Sequence, residues 1–318
     1  MNYLLKKIKE NVYSLRIITK NSIINKILKI SVNEEEYLNE YNVYKELLID
    51  NKNYNIENIS SYLKFENINV NSNINITFID DNVSVKIYVK DIIEHTYNGI
   101  INIYILHGNY NPNNKTLYYY LSYNDFNLLD IIINNALINR RNASNTQHLK
   151  HCDFKINNIL IDNLLNVYLF DFDFSIILKS NETIKLLGDE KVNLYLNLEP
   201  NTEISGSFLD LFDIYLLALS IIYSYNTSNI KKLIKIQKHF KSCLLQHDET
   251  LCDDFFVFYT IYSNILLRIP KKLNNDIYLI FASYDMLYSI LKNPFIEFIA
   301  STKYINAIEF IKKQLFIN

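Results

Sequence analysis

Apolar residues along this chain recur with two periods, and the change from one to the other divides it. Over residues 12–30 they suit strands on either side of a short polar turn, Lys20-Asn21-Ser22. Side chains two apart share one face of a strand, so 12–19 and 23–30 read as a strand pair. Residues 33–49 shift to helical spacing. The acidic start Asn33-Glu34-Glu35-Glu36 suits the positive end of a helix dipole, and Tyr37, Glu40, Tyr44 and Leu47 fall on one face. Strand-like alternation returns at 76–79, 83–89 and 100–106, bounded by Asp80-Asp81, Asn98-Gly99 and the Asn-rich stretch 109–114. Added strands, or an Asn-rich insertion over about 50–115, are expected there. Residues 117–121 read as a last strand before a crossing at Ser122-Tyr123-Asn124. Helix then dominates: 128–140 capped by Asp125, an almost wholly apolar run at 208–225, a basic amphipathic stretch at 230–245, and a Tyr- and Phe-rich remainder. The expected class is α+β, with a β-rich part over 1–121 that carries one helix and a mostly helical part over 122–318.

Length and composition narrow this only a little. A chain of 318 residues, 49% hydrophobic and 21% charged, can bury a large core as one large domain or as two lobes sharing a cleft. The net charge of −2 comes from interspersed acids and bases, which leaves no field for general nucleic-acid binding. Partners must therefore be chosen by a site. Residues 1–18 carry Lys6, Lys7, Lys9 and Glu10 without an apolar core of signal-peptide length, and no later run reads as a bilayer span. A soluble, cytoplasmic chain is expected. Cys152, Cys243 and Cys252 are too few for a disulfide framework and suit a reducing compartment. Asparagine is so abundant that it signals chemistry only by position.

One segment holds polar residues between apolar flanks in an order with chemical meaning. It runs His151-Cys152-Asp153-Phe154-Lys155-Ile156-Asn157-Asn158, then Ile159-Leu160-Ile161, a turn supplied by Asp162, Asn163 and Asn166, and Val167-Tyr168-Leu169-Phe170-Asp171-Phe172-Asp173-Phe174-Ser175. As a hairpin it delivers two acids at strand ends. Phosphoryl transfer from a nucleotide needs an acid beside the attacking hydroxyl, a cation against the developing charge, and hard oxygen ligands for magnesium. Asp153 would orient the hydroxyl and accept its proton, and Lys155 would neutralise the transferred group. Asn158 and Asp171 would hold the metal. The plainer alternative, a hairpin with ordinary turn acids, leaves four correctly spaced polar positions without a reason. Glu40, set in an apolar seam, needs a cationic partner, and of the strand residues Lys26 and Lys29, which face opposite sides, only one can point inward.

The pattern H-x-D-F-K-x-x-N-I-L followed by D-F-x-F-S resembles the catalytic and metal-binding loops of the eukaryotic-type protein kinases. The separation of Asn158 and Asp171, thirteen residues (171 − 158), fits that family's hairpin, whereas Asp173 lies two residues too far. The resemblance implies a bilobal fold, ATP and Mg2+ as cofactors, and a protein substrate phosphorylated on Ser or Thr. It also implies that Lys29, in Ile27-Leu28-Lys29-Ile30, meets the nucleotide phosphates and pairs with Glu40, with Glu36 one turn earlier as the fallback. Adenine would contact the crossing at 122–124, Asp213 would tie down the catalytic-loop backbone, and Arg268 would pair with Glu199. The loop from Ser175 to about Ser207 would form the peptide platform. The chain departs from the family in three places. No glycine precedes Gly99, so Lys9-Glu10-Asn11 must form a glycine-free phosphate cover or nucleotide binding is weak. Cys152 stands where many kinases place the arginine that docks a phosphorylated loop, and Asp173 replaces a glycine. Within the superfamily the sequence is most similar to the poxvirus-type serine/threonine kinases, which implies a place in the host cytoplasm or the virion and a role in particle assembly. Two rivals stand beside this reading. One is a small-molecule phosphotransferase of the choline or aminoglycoside kinase type, against which Lys155 speaks. The other is a pseudokinase scaffold, suggested by the missing glycines.

The remaining histidines and cysteines read as bland. His95 and His107 have no partner spacing for a metal and are expected at the surface or in turns. His239, Cys243, His247 and Cys252 follow one helical face in part, but His239 and His247 lie about 12 Å apart along a helix axis, too far to share one tetrahedral ion. No zinc is expected. Lys231, Lys235 and Lys238 form a basic face that reads as solvated, with contact to an acidic substrate or to a membrane surface as the alternative.

Overall fold

The structure is a computed structural model that describes residues 2–48, 54–56, 59–93, 96–121, 126–185, 203–224, 230–245 and 251–268. It forms two compact units, Met1–Ile49 with Ile56–Asn114, and Asp50–Asn55 with Lys115–Asn318. The junction was expected after Leu121, but 115–121 and the short stretch Tyr54-Asn55 group with the second unit. Hydrogen bonding explains the second shift. The side chain of Asn139 accepts from the Asn55 N–H (2.6 Å) and donates to the carbonyls of Asn55 (2.7 Å) and Val167 (3.1 Å). The Leu169 N–H also donates to the Asn55 carbonyl, at 3.0 Å.

In the first unit, β1 (Asn2–Lys9), β2 (Val12–Ile18), β3 (Ile23–Ser31), β4 (Ile59–Asn69) and β7 (Ile100–Asn109) form one sheet in the order β1-β2-β3-β7-β4. Every neighbouring pair is antiparallel. Helix α1 (Glu34–Leu48) follows β3, where the sequence placed it. Between β4 and β7 the chain makes a separate hairpin, β5 (Asn73–Phe78) and β6 (Val83–Tyr88). Its inward residues Ile74, Ile76, Phe78, Val85 and Ile87 share a core with Leu15, Ile17, Leu28, Ile30, Ile103 and Ile105 of the sheet. The Asn-rich region is therefore only partly an insertion. β7 and β4 belong to the main sheet, and β5–β6 is the added piece. Asparagine serves this region where the backbone turns left-handed, at the irregularity in β4 (Asn67, φ 54°) and at the turn between β5 and β6 (Asn82, φ 51°), a geometry that asparagine adopts more readily than most residues.

His107 corrects an expectation. It lies within β7, is 3% exposed, and meets the Phe78 ring edge-on at 5.0 Å between centroids. Burial, with Lys26 nearby, pushes its pKa down to about 4, so the ring is neutral at pH 7. His95 lies outside the described residues.

The second unit is built on helices α2 (Leu117–Leu121), α3 (Phe126–Gln147), α4 (Gly206–Ser224), α5 (Ile230–Leu245) and α6 (Asp253–Arg268). Short strand pairs stitch the loops: β8 (Lys115–Thr116) with β10 (Ile159–Ile161) and β11 (Val167–Leu169), β9 (Leu149–Lys150) with β12 (Ile176–Ile177), and β13 (Thr183–Lys185) with β14 (Glu203–Ser205). The run Leu117-Tyr118-Tyr119-Tyr120-Leu121, expected as a strand from its aromatic content, is helical. Leu117 and Leu121, four apart, are both buried, and that packing overrides propensity. Helix α4 is long and apolar enough to cross a bilayer, although no run was expected to be, yet most of it is buried against the unit's other elements. On α5, Lys231, Lys235 and Lys238 are exposed while Leu233, Ile236 and Phe240 are buried, so the basic face is a solvated one. The crossing at 122–124, the Asp125 cap, Glu199 and the chain beyond Arg268 fall outside the described residues.

Candidate active site

The segment that begins at His151 is held by α4. Asp213, fully buried, accepts from two consecutive backbone amides, the His151 N–H at 3.0 Å and the Cys152 N–H at 2.8 Å. That grip fits a sharp turn, because Cys152 sits at a φ of 58°. Burial pushes the Asp213 pKa up, against the opposing pull of Arg140 and His151. The buried Cys152 thiol is likewise pushed well up by burial, which leaves it a protonated, inert packing group.

A second set of charges braces the same loop. Lys150, just before His151, reaches Asp210 at 2.6 Å and the Ser144 hydroxyl at 2.8 Å. Arg140, 4% exposed, donates to Asp210 (3.0 Å) and to Asp254 (2.8 Å). Burial alone would raise the Asp210 pKa, but Arg140 and Lys150 overcome it and hold the carboxyl below its ordinary value. Sequence reasoning missed Arg140, Lys150 and Asp254. One signal was there to find: Asp210 and Asp213, three apart on an otherwise apolar helix, needed more than one partner.

Above this brace Asp153, Lys155 and Asn158 converge. The Asn158 side-chain amide donates to the Asp153 carbonyl (3.0 Å) and to Asp153 Oδ2 (2.8 Å). Lys155 Nζ meets the same Oδ2 at 2.7 Å. Asp153 Oδ1 is buried and has no hydrogen-bond partner among the described residues. The β10–β11 pairing sets Ile159 opposite Leu169, so Asn158 and Asp171 leave the hairpin at the same end. Asp171 takes a φ of 67° and is 9% exposed. The His151 ring bonds the Phe170 carbonyl (3.0 Å), and the Ser175 hydroxyl donates to the His151 carbonyl (2.9 Å), so the two loops are joined on either side of Asp171. Asp173 is not among the residues with positive φ, so the glycine expected there is not required by this backbone.

A cavity of about 530 Å³ opens beside Asp153 and Lys155. Tyr118, Ile156, Leu216, Leu219 and Tyr223 supply much of its wall.

In the first unit, Lys29 Nζ meets Glu40 Oε1 at 2.6 Å, with both groups buried. Lys26 turns the other way, to Asn109 (2.6 Å) and Asp81, with its ammonium over the Phe78 ring at 5.5 Å. The alternation along β3 thus separates the two lysines, and Glu40 takes Lys29. The Glu10–Asn11 turn joins β1 to β2, and Asn11 holds a φ of 57°, so asparagine supplies the left-handed geometry that glycine would give.

No protein-family model matches the chain, and no curated protein matches it. Among solved structures it is similar to a ROP18 kinase domain in complex with AMP-PNP and sucrose, at 11% identity and a TM-score of 0.45, over 92% of this chain and 79% of that one.

Proposed function

We propose that the chain is an ATP-dependent protein kinase that transfers the γ-phosphoryl group to serine or threonine hydroxyls. The state of Asp153 carries this reading. One carboxylate oxygen is fixed by Asn158 and Lys155, while the other is buried, without a partner among the described residues, on a carboxylate that lines a cavity. A carboxylate held in that way can orient an acceptor hydroxyl and take its proton as the oxygen attacks phosphorus. Lys155, tied to Asp153 yet 31% exposed, is placed to meet the negative charge of the transferred group.

Asn158 and Asp171 would hold magnesium. The Asn158 amide nitrogen is engaged by Asp153, which leaves its carbonyl oxygen as the ligand atom, and Asp171 adds a carboxylate, so the donor set suits a hard cation. A bound magnesium ion would neutralise phosphate oxygens. Lys29, oriented by Glu40, is assigned to the nucleotide phosphates. The buried pair fixes the position of the Lys29 ammonium, since removing either partner would strand a charge.

Lys155 favours protein hydroxyls over small alcohols as acceptors, in keeping with the resemblance that introduced it. The poxvirus-type assignment, with its cytoplasmic or virion location, belongs to the same proposal and rests on the sequence motifs. The test is transfer of radiolabel from ATP to mixed basic and acidic proteins with magnesium present, followed by phosphoamino-acid analysis, with Asp153→Asn as control. Label on serine or threonine, lost by about 100-fold or more in Asp153→Asn, is the expected result. Label on choline or an aminoglycoside alone would move the chain to the small-molecule branch. No label and no stabilisation by ATP would make it a scaffold.

A further inference from the structure

His239 and Cys243, one helical turn apart on α5, are joined in the structure by a residue that no spacing along that helix could reveal, Asp130 of α3. His239 Nε2 lies 3.3 Å from Asp130 Oδ1, Cys243 Sγ lies 3.4 Å from Asp130 Oδ2, and Sγ lies 3.6 Å from Nε2. We propose that Asp130, His239 and Cys243 form a zinc site that clips α3 to α5.

The distances carry the proposal. Zinc bonds of about 2.0–2.1 Å to nitrogen and oxygen and about 2.3 Å to sulfur, arranged tetrahedrally, set the ligand atoms roughly 3.3–3.6 Å apart. The Nε2–Sγ separation falls in that range, and the Asp130 carboxylate meets Nε2 through Oδ1 and Sγ through Oδ2; with one atom taken from each residue the three lie within 4.8 Å of one another, so a turn of the carboxylate sets them around one ion. The donor set of one imidazole, one thiolate and one carboxylate suits a borderline-soft metal such as zinc better than magnesium or calcium. Two rigid helices present the ligands, with His239 and Cys243 on one face at i and i+4. Cys243 is buried, while the Asp130 and His239 side chains are 14% and 20% exposed, so water can take the fourth position. Binding forms the Zn–S, Zn–N and Zn–O bonds, and the thiol proton leaves to solvent; no electron changes hands. The Cys252 thiol turns instead to the Asn134 carbonyl, with Sγ 4.0 Å from that oxygen. The site shares no residue with the phosphotransfer machinery, but α3 also carries Arg140, so the clip would steady the helix that braces the catalytic loop.

The experiment uses the full chain, stripped with a chelator and then given zinc or cobalt salts. One zinc per chain should survive gel filtration, and cobalt should give a thiolate-to-metal charge-transfer band. Zinc should protect Cys243, but not Cys252, from alkylation as read by peptide mass spectrometry. Cys243→Ser should lose the cobalt band, and His239→Ala should lose stoichiometric zinc. No band and no zinc-dependent protection in the folded native chain overturns the proposal and leaves a hydrogen-bonded trio. Undiminished zinc in Cys243→Ser would also overturn it. If the variants fail to fold, the native chain's cobalt spectrum and protection pattern decide. Loss of kinase activity enters neither outcome, so this test and the phosphotransfer test fail independently.

Discussion

Asp213 shows how one buried carboxylate can fix the path of a loop. Its two oxygens receive the His151 and Cys152 amides, and Arg140 stands 4.0 Å away. Asp213→Ala would orphan both amides and weaken the cationic brace, and should destabilise the chain by about 3–5 kcal/mol in urea unfolding. His107 gives a second measurable effect. Its folded-state pKa lies near 4 against an ordinary 6.5, so the unfolded chain binds the proton more readily. The resulting stability is fully present above about pH 6.5 and is lost as pH falls towards 4, by about 3 kcal/mol in all. Unfolding midpoints measured across that window should fall with acid, and His107→Leu should flatten the slope.

Among the larger elements, the start of α4 is the most constrained by sterics. Gly206 donates its N–H to the Glu182 carbonyl at 2.9 Å and packs against the backbone of Lys179 and Ser180 so closely that a Cβ there would collide with the Lys179 carbonyl. Backbone cannot withdraw as a flexible side chain can. Gly206→Ala should therefore cost about 1–3 kcal/mol and loosen the β13–β14 pair, a change visible as faster amide exchange at Thr183–Lys185. The contrast with Asn11, Asn67 and Asn82 is instructive. Those positions need only left-handed backbone, which asparagine tolerates, whereas Gly206 needs the absence of a side chain.

For the molecule as a whole, the proposed function predicts that ATP with magnesium stabilises the chain by about 2.7 kcal/mol at a concentration one hundred times Kd, read as a rise in thermal midpoint. Lys29→Met should remove most of that rise, while Asp153→Asn, which alters the acceptor side, should keep it. A rise that survives Lys29→Met would show that the Lys29–Glu40 pair serves the fold of the first unit and not the nucleotide. The apolar helix α4 answers a different question at this level. Its hydropathy alone suits a bilayer, but most of it is buried within the protein.

Much of the architecture was legible in residue order, because strand and helix periods and turn residues act over a few positions. β2, β3 and α1, the β10–β11 hairpin, and the closeness of Asp153, Lys155 and Asn158 all belong to that class. The Lys29 ion pair was half legible: alternation said that one lysine must face inward, and folding chose which. Leu117–Leu121 became helix because burial of two leucines outweighed its aromatic strand preference. His107 became buried because β7 lies inside the sheet and not in an insertion. Arg140, Asp254 and Asp130 found their partners 70, 114 and 109 or more residues away, through contacts that no local pattern encodes. Short-range order follows from backbone geometry and the hydrophobic period. Long-range charge pairing exists only once the helices have packed and removed their ionic groups from water.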